Sequence, residues 1–210
     1  MNKPGPASVD LKVDPATLDF VKGSGLLPAV VQHAASGTVL MVGYMNRAAL
    51  RKTLDEGVVT FYSRSKQRLW TKGETSGHRL RLVALRADCD RDTLLVQALP
   101  SGPVCHLGTA TCFGDGGGPA GAIMAELDAL IGTRLASGAG YTGQLLAAGP
   151  ARIAQKVGEE AVETALAAVA GDDKALVAEA ADLLYHLLVL LAARRIPLTR
   201  VYAELAARRR

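Results

Sequence analysis

The segment GDGGGPAG, Gly114 to Gly121, divides the chain. It has no apolar periodicity, and its glycines leave the backbone free to turn. No Gly-Lys-Ser/Thr follows it, so it reads as a linker and not as a phosphate-binding loop. Before it, GTVLMVGYM, GVVTFYSR, RLRLVALRA and TLLVQAL are short, rich in β-branched and aromatic residues, and bounded by turn formers. That is the pattern of strands. One helix interrupts them, with Asn46 placed to cap its start and Gly57 to stop it. After the linker the pattern turns alanine-rich and helical, over 121–137, 150–170, 173–194 and 198–208, with Pro197 breaking the last pair. Leu176, Ala180, Leu183, Leu187 and Leu191 recur at helical spacing and predict one apolar stripe. The expected fold is a small β-rich α+β domain over 1–114, a linker over 115–121, and an all-α helical bundle over 122–210.

Hydrophobic residues make up 49% and charged residues 21%, so both halves have the material for a packed core. The net charge of +4 favours anionic partners, phosphorylated small molecules included. With aromatics at only 4% and no recognised nucleic-acid motif, a nucleic-acid partner is not expected. The opening MNKPGPASVD has no apolar core, which argues against a signal peptide. The longest apolar run, LLYHLLVLLAA, is short for a bilayer and sits beside Asp182, Arg194 and Arg195. A cytoplasmic protein with no membrane partner is the expectation. Three cysteines, an odd number, argue against a disulfide framework and towards metal binding or chemistry.

One cysteine lies in DCDRD. Read as an extended segment, it places Asp88, Asp90 and Asp92 on one face, with Cys89 opposite. Close carboxylates repel unless a cation joins them, and oxygen ligands suit Mg2+. An EF-hand is excluded, because Thr93 and Leu99 stand where its Gly and Glu belong. The plainer alternative is a solvated acidic edge. Downstream, Cys105, His106 and Cys112 follow. Three cysteines and a histidine can build a catalytic type of zinc site, with three protein ligands and one open position, and two structural thiols in a loop are the alternative. The spacing is not that of a zinc finger, and nothing in it requires all ligands to come from one chain. Upstream, Arg64, Lys66, Arg68 and Lys72 surround Trp70, suiting phosphate and a stacked base, or else forming a solvated hairpin over a core Trp.

In the helical half, Glu159, Glu160 and Glu163 share a helix face, and Glu179 and Asp182 repeat the arrangement after a gap of 15 residues. Two helices that each offer acids at the edge of a bundle core suit Mg2+, and solvated helix faces are the alternative. Lys156, four before Glu160, offsets part of the charge. His186, in the apolar helix, reads as a satisfied core histidine.

FYSRSKQRLWTKGETSG, DCDRDTLLVQALPSGPVCH and CF together resemble phosphoribosyl-AMP cyclohydrolases of histidine biosynthesis, over roughly 39–113. The resemblance implies zinc-dependent hydrolysis of the purine N1–C6 bond. It implies zinc on Cys89, Cys105 and Cys112, magnesium on Asp88, Asp90 and Asp92, and His106 as acid/base. It also implies a homodimer in which the zinc cysteines come from both subunits. YTGQLLAAGPARIAQKVGEEAVE with EAADLLYH resembles phosphoribosyl-ATP pyrophosphohydrolases, over roughly 123–208. That resemblance implies magnesium on Glu159, Glu160, Glu163, Glu179 and Asp182, phosphate contacts from Arg152 and Lys156, and release of pyrophosphate. Together the two imply a bifunctional enzyme whose helical domain makes phosphoribosyl-AMP from phosphoribosyl-ATP for the β-rich domain to open.

Overall fold

A computed structural model describes residues 10–209 apart from 12, 116 and 117. The centre of the expected linker therefore lies outside the described residues. The chain divides into two compact units, Met1–Ala122 and Ile123–Arg210.

The first unit holds strands β1 (Asp10–Leu11), β2 (Leu27–His33), β3 (Val39–Met45), β4 (Thr60–Ser63), β5 (Arg68–Thr71), β6 (Leu80–Ala87) and β7 (Leu94–Pro100), with helix α1 (Arg47–Glu56) between β3 and β4. Five strands form one sheet in the order β1-β6-β7-β2-β3, and β4 and β5 form a separate hairpin. The expected strands and helix are present. Strand β2 was not expected, because Pro28 demotes such a run. Its parallel pairing with β7 begins at Ala29, one residue after the proline, so the missing N–H costs no bond there. Leu27, Ala29 and Val31 alternate inward, each 0% exposed, and sit at the centre of the core with Phe61, Leu80, Leu85 and Leu94.

Asn46 caps α1 by accepting the Ala49 N–H at 2.8 Å, and Gly57 ends it in the left-handed conformation (φ 66°). The Thr53 hydroxyl donates to the Ala49 carbonyl at 2.9 Å and accepts the Thr60 N–H at 2.9 Å, fastening α1 to β4. In the β4–β5 hairpin Phe61 pairs with Trp70, ring centroids 5.5 Å apart. The hairpin delivers Lys72 inward, to 7% exposure.

The extended reading of DCDRD is corrected. Strand β6 stops at Ala87, and Asp88–Asp92 form the turn that returns the chain into β7. Asp88 causes the turn: one of its carboxylate oxygens accepts the Asp92 and Thr93 N–H groups at 3.1 and 3.0 Å, with Arg91 at φ 63°.

The second unit holds α2 (Ala122–Ser137), α3 (Gly140–Ala148), α4 (Pro150–Ala170), α5 (Asp173–Ala193) and α6 (Leu198–Arg208). Helix α3 was not expected, because Gly140 and Gly143 lower helix propensity. Gly143 is there for contact: a Cβ would lie 2.2 Å from the Gly138 carbonyl oxygen. Helices α4 and α5 make the main hairpin, joined by Gly171 (φ 72°) and by Asp172, which accepts the Ala175 N–H at 3.0 Å. Ile131, Leu145, Ile153, Leu188, Val189 and Leu198 form the core. The apolar stripe on α5 is shifted from its expected position, since Leu188 and Val189 are buried while Leu187 is 38% exposed. Both helices of the hairpin also expose an apolar stripe, Val162, Leu166 and Val169 on α4 and Val177, Leu184 and Leu187 on α5. By length and composition α5 is apolar enough to cross a membrane. Glu179, Asp182 and His186 in its middle turns, and its packing on α4, give it the place of a bundle helix.

Candidate functional site

The aspartate turn gathers its acids although it is not extended. Oxygens of Asp88, Asp90 and Asp92 all lie within 4.8 Å of one another. A cation already stands among them: Lys22 Nζ bonds Asp90, and Asp92 at 2.8 Å. These bonds hold the Lys22 ammonium well above its ordinary value, and the Asp90 carboxyl below its own. Asp19 fixes the lysine's backbone, accepting the Val21 and Lys22 N–H groups at 2.9 and 3.2 Å, and its own N–H donates to the Arg91 carbonyl at 2.9 Å. Lys22 lies 68 residues before Asp90, and no local pattern marks it.

Cys105, His106 and Cys112 sit in the segment after β7. The Cys112 N–H donates to the Leu40 carbonyl at 2.8 Å, and the Cys105 N–H to that of Thr109 at 3.1 Å. Hydrogen bonds from the Leu107 backbone and the Thr109 side chain hold the Cys105 thiol below its usual range. The Cys112 thiol is pushed up, first by desolvation and then by the charge of Cys105 beside it. His106 Nδ1 lies 3.9 Å from the Cys105 sulfur. Cys89 is exposed in the aspartate turn and does not join the other two sulfurs in a ligand cluster within one chain.

Cys105 and His106 line a cleft of about 430 Å³ together with Trp70 and buried Lys72. Thr75, Ser76 and His78 also line it, none of them singled out in the sequence; the adjoining TKGETSG turn was the signal available. Arg64, Lys66 and Arg68 do not line this cleft. The Arg64 guanidinium stacks on Tyr44 at 3.9 Å, Arg68 pairs with Glu74 at 2.6 Å, and Lys66 is exposed in the hairpin turn.

In the helical unit, oxygens of Glu160, Glu179 and Asp182 lie within 4.8 Å of one another, across α4 and α5. Glu160 is 5% exposed, and Lys156 bonds it at 2.7 Å. That bond chiefly holds the Glu160 carboxyl below its ordinary value. Glu159 turns to Lys156 and Gln155, each at 2.8 Å, with Arg152 at 3.8 Å. Glu163 is exposed beside the cluster. Glu179 is pushed up by desolvation and then by Glu163, Glu160 and Asp182. Three carboxylates brought this close together across two helices are a donor set that a divalent ion fits.

A thiol–imidazole cleft lies on the α+β unit, and paired acids lie on the helical hairpin. Residues 41–114 match the phosphoribosyl-AMP cyclohydrolase family and residues 124–209 the phosphoribosyl-ATP pyrophosphohydrolase family. Among curated proteins, the histidine biosynthesis bifunctional protein HisIE of Shewanella oneidensis is 56% identical over 199 residues, 94% of this chain and 93% of its own. That of Escherichia coli K12 is 55% identical over 193 residues, covering 91% and 95%. That of Xylella fastidiosa Temecula1 is 56% identical over 209 residues, covering 98% of each. The chain belongs to this bifunctional family of histidine biosynthesis, a phosphoribosyl-AMP cyclohydrolase joined to a phosphoribosyl-ATP pyrophosphohydrolase.

Proposed function

We propose that the domain over 1–114 opens the purine ring of phosphoribosyl-AMP at its N1–C6 bond, in the cleft walled by Cys105 and His106. The observation that carries this is that Cys105, the His106 imidazole, a buried lysine and a tryptophan line one cavity. Cys105 and Cys112, with Cys89 from a second copy, are a donor set of the kind zinc takes. Zinc bound there supplies a water acidified towards neutrality. Trp70 stacks the base, Lys72 holds phosphate, and His106 gives a proton to the departing nitrogen. Arg64, Lys66 and Arg68, outside the cleft, guide the anionic substrate towards it. Asp88, Asp90 and Asp92 hold magnesium in place of the Lys22 ammonium.

The domain over 122–210, after a linker at 115–121, cleaves phosphoribosyl-ATP to phosphoribosyl-AMP and pyrophosphate. Glu160, Glu179 and Asp182 hold magnesium, with Glu163 and Glu159 at its margin, and Arg152 and Lys156 contact phosphate. Magnesium there supplies charge neutralisation on the polyphosphate. The exposed apolar stripes of α4 and α5 support a homodimer. The place of work is the cytoplasm.

Mixing two inactive variants tests the shared zinc site. Cys89→Ser and Cys105→Ser chains, unfolded together and refolded, are expected to regain ring opening, because a mixed dimer keeps one site with all three sulfurs. Failure to regain it, with dimers formed, refutes sharing between subunits.

A further inference from the structure

The helical unit contains a buried imidazole that touches the acidic cluster without belonging to it. His186 is 5% exposed. Its Nδ1 lies 2.9 Å from the Asp182 carbonyl oxygen and 3.6 Å from Glu160 Oε1. Both neighbours are acceptors, so Nδ1 carries the hydrogen. In the neutral ring Nε2 then accepts from the Tyr141 hydroxyl, 3.2 Å away. A second hydroxyl pair, Thr142 and Tyr185 at 2.6 Å, fastens α3 to α5 beside it. One ring thus meets α3 at Tyr141, α4 at Glu160 and α5 at the backbone of Asp182. Lys156 and His186 both engage Oε1 of Glu160, which leaves Oε2 without either donor.

We infer that His186, oriented by Tyr141, is a positioning residue for the helical metal site. It sets Glu160 and Asp182, which come from different helices, at the separation that a divalent ion bridges. This rests on reading Glu160, Glu179 and Asp182 as that site. The hydrogen bond to Asp182 fixes the backbone from which one acid projects. The contact at 3.6 Å is electrostatic and biases the rotamer of the other. Groups that orient metal ligands in this manner act on affinity although they never touch the ion.

The test is Mn2+ titration, followed by electron paramagnetic resonance, of the full chain carrying Asp88→Asn and Asp90→Asn to silence the other acidic cluster. His186→Leu is expected to weaken binding at least about tenfold, as loss of a ligand-orienting partner does. His186→Asn keeps an N–H where Nδ1 sits and is expected to recover most of the loss. The Mg2+ concentration for half-maximal pyrophosphate release should rise in parallel, with KM at saturating Mg2+ unchanged within about twofold. If the ring merely fills the core, the ranking reverses, with leucine keeping the affinity and asparagine losing it; that ranking, or no change in His186→Leu, overturns the inference. Tyr141→Phe removes one hydroxyl from a half-exposed ring and keeps the test open should His186→Leu not fold; a smaller loss of affinity is expected, and none overturns the inference. Glu179→Gln separates the two readings. If it leaves Mn2+ binding intact, the acids are not the metal site and the inference falls with that reading; if it abolishes binding, the site stands and the His186 variants decide.

Discussion

Each unit has a core of its own, and one buried side chain can show whether each core serves one activity. Ile153 on α4 is 0% exposed and packs with Ile131, Leu145, Leu188, Val189 and Leu198. Ile153→Ala removes three carbons. At about 0.8 kcal/mol for each, the lost transfer energy is about 2.4 kcal/mol. The cavity left behind raises the cost to about 3 kcal/mol, within the range of such core truncations. A unit of fewer than about 100 residues has only about 5–10 kcal/mol to lose from. At about 4–8 °C per kcal/mol its melting temperature should fall by about 12–24 °C. The α+β unit, built around Leu27, Phe61 and Leu94, should keep its own transition. Calorimetry of the full chain, paired with both assays after graded heating, reads this directly. Pyrophosphate release should be lost at temperatures where ring opening survives. A single transition that carries both activities down together would refute the independence of the two cores.

Two further perturbations concern the lysines. Lys22→Met removes the ammonium from the aspartate turn and is expected to tighten Mn2+ binding there by about threefold, the scale on which exposed ion pairs act; weaker binding in a calorimetric titration would contradict competition for the site. Lys156→Met frees the Glu160 and Glu159 carboxyls, which that lysine holds below their ordinary values. A depressed carboxyl stays ionised until the pH falls through its lowered value, so the variant's acids protonate at higher pH. The acid limb of the pyrophosphate-release profile should therefore move up, and a limb that stays in place or moves down would count against that coupling.

Much of the fold was legible because local signals sufficed. The Asn46 cap, the Gly57 stop and the alternation of β6 and β7 each point to one element. Strand β2 was hidden by Pro28, whose missing N–H matters only to a partner strand that sequence does not display. Helix α3 was hidden by two glycines, Gly143 required by its contact with Gly138 and Gly140 by its left-handed backbone (φ 71°). The acids of α4 and α5 were legible because helical spacing places them, and the meeting of Glu160 with Glu179 and Asp182 then follows from the hairpin. The aspartate turn was misread in its backbone but not in its clustering, since Asp88 converges the loop through bonds to main-chain N–H groups. Lys22 and Tyr141 were not legible, because each reaches its partners only through the folded chain.

Gly43 shows how the cleft depends on residues that do not line it. A Cβ there would lie 2.4 Å from Cδ1 of Phe61. The ring of Phe61 rests against that of Trp70, and Lys72 follows two residues later. A single methyl group on β3 at residue 43 would displace Phe61, then Trp70, and so disturb the lining of the cleft. Residue 43 does not itself line the cleft, which on its own would mark it as tolerant. It should instead behave as an intolerant position, with losses in turnover out of proportion to any loss in abundance.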